Sequence, residues 1–324
     1  MRLKLVVPSL VVAGILGGCD SFLKESLPPC PRGVDLHLKY TNYLNNPNKV
    51  DAFLDQVHCA RVYLYDSDGN FKGQYDVTNT NVISVDLPAG NYHAVSLCGV
   101  GCQQADFLVN HPDNTNHHYT SLEAYLAGSR ADNQTANNLH PFFHGVGDFT
   151  ILEKDYQHIV CEIGLTKNTN TIRVELEHTD GSAVNPGGFD CYVTADNAAT
   201  DYENNLIPSG TKFTYKPYTA GNVNGNPNKI FAEISTGRLT KNLDATLHVY
   251  SKVTQETTTF KIIPAANVSY ENEVAAGMNN ISWQQYLDFR DFWTFTIKVA
   301  PDGKVIGQEF NINDWSVRDN NFDL

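Results

Sequence analysis

Val34, Leu36, Leu38 and Tyr40 fall on one face of an extended chain in "GVDLHLKY", with polar residues between them. Alternation of this kind, bounded by Gly, Asn, Asp and Pro, recurs along the sequence and commits the chain to β-strands with one buried face. "ARVYLYDSDGNFKGQYDV" (60–77) predicts a hairpin turning at Asp66-Ser67-Asp68-Gly69, and "NVISVDLPAGNYHAVSL" (81–97) gives two strands around Pro88-Ala89-Gly90. "TNTIRVELEHTDG" (169–181) opens a similar run, and "FWTFTIKVAPDGKVIGQEFNINDW" (292–315) is a C-terminal hairpin turning at Pro301-Asp302-Gly303. Many short strands separated by turns predict antiparallel sandwiches, so the fold class is all-β with a few short helices.

Three segments carry the helical period instead. Val50, Phe53, Leu54 and Val57 lie at i, i+3, i+4 and i+7, with Asn48 placed to cap. "TSLEAYLAG" offers a capping box from Thr120 to Glu123 and a stop at Gly128, and "SWQQYLDF" repeats the box with Ser282 and Gln285. Residues 103–140 carry no strand signal and are rich in Asn, Asp and His. A connection that long is usually functional or mobile.

The amino end has a different logic. Arg2 and Lys4 precede the apolar stretch Leu5 to Leu16, and Gly17-Gly18 lead into Cys19. This is the plan of a secretory signal, too short to span a bilayer as a mature helix. Leu16-Gly17-Gly18-Cys19 looks like a bacterial lipobox, in which the cysteine thiol takes a diacylglyceryl group and becomes the mature N-terminus. An ordinary signal with a chance cysteine is the alternative. The expected organisation is a signal peptide over 1–18, a lipidated tether over 19–29, one sandwich domain over 30–165 and a second over 166–324.

With Cys19 assigned to lipid, Cys30, Cys59, Cys98, Cys102, Cys161 and Cys191 remain. An even number in an exported chain favours disulfides over free thiols, and six cysteines allow fifteen pairings. Cys98-x-x-x-Cys102 is the one local pair; a zinc site is disfavoured because no C-x-x-C occurs. The net charge of −13 falls to about −15 without the first eighteen residues, which hold two bases and no acid. Such a chain is a poor nucleic-acid binder and is repelled by anionic headgroups, so membrane attachment must come from lipid.

No nucleophile elbow, phosphate loop or dinucleotide fingerprint is present, and neither a catalytic residue nor a cofactor is assigned. His111, His117, His118, His140 and His144 crowd one region, and with Asp113 they have zinc-type chemistry, but their spacing fits no compact ligand set and a solvated loop is preferred. "DSDGN" (66–70) begins like a calcium loop yet lacks Gly at position six and Glu at twelve. Trp283, Trp293 and Trp315 could form a sugar-stacking platform, though alternation around Trp293 favours the core.

"CPRGVDLHLKY", "VYLYDSDGNF", "DLPAGNYHAVSLCG", "HPFFHGVGDFTI" and "YLDFRDFWTFTIKV" followed by "FNINDW" occur in an order and spacing that resemble the fimbrillin-associated anchor proteins, lipoproteins that attach fimbriae to the outer membrane of certain Gram-negative bacteria. The resemblance covers nearly the whole mature chain. It implies two tandem transthyretin-like β-sandwich domains and a non-catalytic structural role at the outer membrane, exposed at the surface. The partners implied are fimbrial subunits, joined by addition of a β-strand to an open sheet edge. The six cysteines beyond Cys19 depart from the family pattern. A surface module that captures glycans or host ligands is the alternative function, and a secreted hydrolase is disfavoured by the missing motifs.

Overall fold

Alternating burial sets the frame. In β1 (Gly33–Lys39) Val34, Leu36 and Leu38 are fully buried while the residues between them are half-buried. The computed structural model describes residues 32–41, 50–101, 106–278 and 280–318. After β1 come α1 (Phe53–Gln56), β2 (Cys59–Asp66), β3 (Phe71–Thr78), β4 (Val82–Asp86) and β5 (Gly90–Cys98). An excursion with β6 (Phe107–Val109), β7 (Glu123–Leu126) and β8 (Gln134–Thr135) precedes β9 (Phe143–Ile151), β10 (His158–Gly164) and β11 (Thr166–Lys167). The remainder begins with β12 (Asn170–His178), β13 (Phe189–Ala195), β14 (Ala199–Asp201), β15 (Phe213–Tyr215) and β16 (Thr219–Val223). It continues through β17 (Asn226–Thr236), β18 (Thr246–Ser251), β19 (Glu256–Lys261), α2 (Ile262–Ala275) and α3 (Trp283–Phe289). β20 (Phe292–Val299), β21 (Val305–Ile312) and β22 (Trp315–Arg318) close the described chain.

The sheet β10-β1-β4 packs on β11-β9-β5-β2-β3, and β16-β17-β12-β20-β21-β22 packs on β19-β18-β13-β15-β8. The two sandwiches share one plan. The order β10-β1-β4 recurs as β20-β12-β17, and β9-β5-β2-β3 recurs as β19-β18-β13-β15, in the same chain order. Most ladders are antiparallel, as expected, but each sandwich also joins its first strand to a late one in parallel. Val34 lies opposite Ile159 in β10, and Ile172 lies opposite Trp293 in β20.

The halves exchange strands. β14 of the second half pairs with β7, and β8 of the first half pairs in parallel with β15. Packing continues the link. Val62 and Leu64 of β2 face the first sandwich core, whereas Tyr63 and Tyr65 face the layer built by Phe107, Leu122, Ala124, Leu126 and Phe142, which runs on into the second core. Polar groups seal the junction. Asn133 Nδ2 of the first half donates to the Lys212 carbonyl of the second at 2.8 Å, and Ser235 of the second donates to Asn138 of the first at 3.3 Å.

Several expectations need correction. Residues 120–128 do not form a helix: Glu123–Leu126 is a strand between short 3-10 turns. Leu122, Ala124 and Leu126 also fit a period of two, and pairing with β6 and β14 selects it. The segment near Phe53 is a single turn. Phe53 and Val57 are buried but Val50 and Leu54 point to solvent, and Asp51 Oδ1 accepts from the Phe53 amide. The Asn48 cap lies outside the described residues. The Ser282–Gln285 capping box does form, and the fourteen-residue α2, which the sequence pattern did not suggest, covers the end of the second sandwich beside α3.

The cysteine framework also differs. Cys98, Cys161 and Cys191 are buried free thiols, acting as small apolar core residues, so the local Cys98–Cys102 pair is not made. Cys59 is disulfide-bonded, its partner lying outside the described residues. Cys19, Cys30 and Cys102 also lie outside them.

At the junction His144 is buried, and its Nε2 finds no partner among the described residues. Burial, helped by the Arg238 charge, pushes its pKa from 6.5 down to about 3. The folded state refuses a proton that the unfolded chain accepts near pH 6.5, so this contribution is intact above that pH and erodes below it. The slope is at most about 1.4 kcal/mol per pH unit. The urea midpoint should therefore fall between pH 7 and pH 5 more steeply for the native chain than for His144→Gln; parallel curves would refute the assignment.

Candidate assembly cleft

The histidines do not converge. His111 and His117 stack at 4.1 Å, His117 Nε2 meets the Tyr65 hydroxyl at 2.9 Å, and His118 bonds the Asp68 carbonyl. His140 pairs with Asp106 instead, at 2.8 Å. They fasten residues 110–121 to the sheet of β2, and among the described residues no three ligating side chains gather for a metal. Asp66 likewise serves its turn, accepting from the Asp68 and Asn70 amides. Trp293 is fully buried and donates to Asn170 at 3.3 Å, Trp283 packs on Tyr270, and Trp315 is half-buried in β22. No sugar platform is built from the tryptophans.

Sheet edges are the remaining candidates, and the two sides of the second sandwich contrast. On one side the C-terminal hairpin is already engaged in its own sheet. β20 pairs with β12, β21 with β20 and β22 with β21, burying Phe310, Ile312 and Val317. On the other side a cleft of about 680 Å³ opens between the two sheets.

Strand register explains the opening. β15 meets β13 only at Val193, Thr194 and Ala195. In continued register Lys216 would face Tyr192 and Pro217 would face Cys191, but proline has no N–H to offer a ladder. The chain instead crosses to the opposite sheet, where β16 turns at Asn224-Gly225 (φ +49° and +74°) into β17. Asn-Gly with both residues left-handed is the turn that suits a tight hairpin. Phe189 to Tyr192 are thus left without a strand partner on that side among the described residues, while β18 holds the other side.

The floor of the cleft is apolar: Val174, Leu176, Cys191, Ile230 and Ala232 reach it from the sandwich core. Phe231 forms part of the wall and is braced from behind by the Arg173 guanidinium, 4.1 Å above its ring. Arg173 is itself held by Glu175 and Glu233, each at 2.7 Å. At the rim Lys252 pairs with Asp190 at 2.8 Å, and Lys216 is exposed. An unpaired strand edge above an apolar trough can accept an extended segment. Backbone bonds would satisfy the edge, and alternate side chains would fill the floor.

The family model described as fimbrillin-A associated anchor proteins Mfa1 and Mfa2 matches residues 27–321. Among solved structures, a candidate adhesin of Bacteroides thetaiotaomicron is 28% identical, with a TM-score of 0.76 over 90% of this chain and 99% of that one. A candidate adhesin of Bacteroides ovatus is 18% identical, with a TM-score of 0.73 over 91% and 97%. The fimbrial anchor protein Mfa2 of Porphyromonas gingivalis is 15% identical, with a TM-score of 0.69 over 89% and 99%. These last two likenesses concern the fold. No curated protein matches the sequence.

Cys191 reports on the cleft floor. Burial pushes its thiol up to about 12, and only the thiolate is nucleophilic. Maleimide labelling of Cys191 at neutral pH, followed by peptide mapping, should be roughly 1000-fold slower in the native protein than after denaturation. Fast native labelling would mean that the floor is wet.

Proposed function

Because the chain belongs to the family of fimbrillin-A associated anchor proteins, we propose that it is an outer-membrane lipoprotein acting as an anchor or accessory component of a surface fimbria, without catalysis. Acyl chains on Cys19 hold the membrane end. Each buried CH₂ contributes about 0.8 kcal/mol, so two or three chains keep the protein in place where one would not. A tether over 19–29 has a reach of about 40 Å when extended. No described helix is long and apolar enough to cross a bilayer.

The fimbrial end is the cleft of the second sandwich, which receives a terminal strand from a fimbrial subunit. One observation carries this reading. The described C-terminal strands are used inside the chain's own sheet, whereas the Phe189–Tyr192 edge is open above an apolar floor. A chain with a vacant acceptor and an occupied donor starts an array or ends it, and that is what a base component requires.

Two variants test the two ends. Cys19→Ala should move the protein from the membrane fraction to the medium, and intact-mass analysis should show the loss of the acyl chains. Retention on the membrane would defeat the lipid anchor. Ala220→Arg places a charged side chain on the face of β16 shared with Ala232, at an exposed position beside the apolar floor. The variant should melt like the native protein yet lose crosslinks to its fimbrial subunit; undiminished crosslinking would place the contact elsewhere.

A further inference from the structure

A second cavity, of about 510 Å³, opens where the sandwiches meet, on the rim of the sheet that both halves share. Three rings from three separate segments form its apolar wall. His93 comes from β5, Tyr119 from the 3-10 turn that ends the histidine-rich segment, and Tyr202 from the turn after β14. Tyr119 and Tyr202 meet edge to face at 4.8 Å, and His93 lies 5.3 Å from Tyr119 and 6.3 Å from Tyr202. Both tyrosines are half-exposed. The rings touch each other, so they make a continuous surface and not a cage with a gap for an ammonium group.

Around this wall the lining is polar and acidic. Asp148 holds His93 Nδ1 at 2.7 Å and is otherwise 84% exposed, Glu203 is exposed, and Thr150 donates to Asn91 at 2.7 Å. Among the described residues no lysine or arginine lines the cavity, and the nearby Lys72 is taken up by Asp66 at 2.7 Å. A fitting ligand therefore has one apolar face to lay on the tyrosines and several hydroxyls to donate to carboxylates, with no negative charge of its own. A pyranose has that chemistry: axial C–H groups on one face and a rim of hydroxyls.

We propose that this cavity binds a neutral saccharide, a pyranose lying against Tyr202 and Tyr119 with its hydroxyls donating to Asp148 and Glu203. The carboxylates exclude uronic and sialic acids. Because Tyr202 comes from the second half and His93 from the first, the site exists only while the exchanged strands β7 and β14 keep the halves in register. It is separate from the cleft near Cys191 and does not depend on the fimbrial role.

The test is saturation-transfer NMR on the full chain with maltose, lactose and cellobiose, and with a glucuronate-containing disaccharide as the acidic probe. At least one neutral disaccharide should give a signal, and the acidic one should give none. Tyr202→Ala should weaken binding at least tenfold. Asp148→Asn, at an exposed position that leaves the core untouched, should do the same with an unchanged melting temperature. Tyr156→Ala, on a 72% exposed tyrosine that does not line the cavity, should leave binding intact. Silence from every neutral sugar, equal loss in Tyr156→Ala, or a signal from the glucuronate-containing disaccharide alone would each overturn the proposal.

Discussion

β2 is dry on both faces, and the architecture depends on it. Val62 and Leu64 close the first sandwich while Tyr63 and Tyr65, pointing the opposite way, begin the layer that continues into the second. Each buried aromatic ring takes on the order of 200 Å² out of water, worth about 5 kcal/mol before entropy is charged against it. Domain stabilities are about 5–15 kcal/mol, so two such rings decide whether the halves pack or drift apart. The tyrosines also need partners for their hydroxyls, and His111 and His117 supply them. The histidine-rich excursion is thus a cover for this face.

Strand exchange makes the packing specific. An apolar layer alone would tolerate sliding, because dispersion is non-directional. The ladders between β14 and β7 and between β8 and β15 fix the register, and a slip of one residue would turn Ala124 and Leu126 outward. The shared topology of the two sandwiches leaves no repeat in the sequence because it is written in the order of apolar faces and turns, which unrelated residues can supply.

The strands and tight turns were legible because their signals are local: the Asp66–Gly69 turn and the Pro301–Gly303 turn carry their left-handed glycines in the sequence. The Thr120–Glu123 box misled because a four-residue spacing pattern and a two-residue one coincide on Leu122 and Leu126, and only distant strands choose between them. In α2 the buried face runs through Ile262, Ala266, Ser269 and Glu273, so its second half is polar and a search for apolar periodicity had little to detect. Counting cysteines in pairs failed for Cys98, Cys161 and Cys191 because a thiol is also a good small core residue. The cleft was hidden for a similar reason: Pro217 is plain in the sequence, but its effect appears only once β15 is laid beside β13. The rings of Tyr119 and Tyr202 are 83 positions apart and meet only through β7 and β14.

The place of β1 within its sheet has a mechanical meaning. It is the central strand, in register with β10 from Gly33 to Lys39 on one side and with β4 from Gly33 to His37 on the other. A load entering at Arg32 along the strand axis strains both rows in shear, so their bonds must rupture together and cannot unzip singly from one end. A peripheral strand pulled outward would peel at low force; a central one resists like a lap joint.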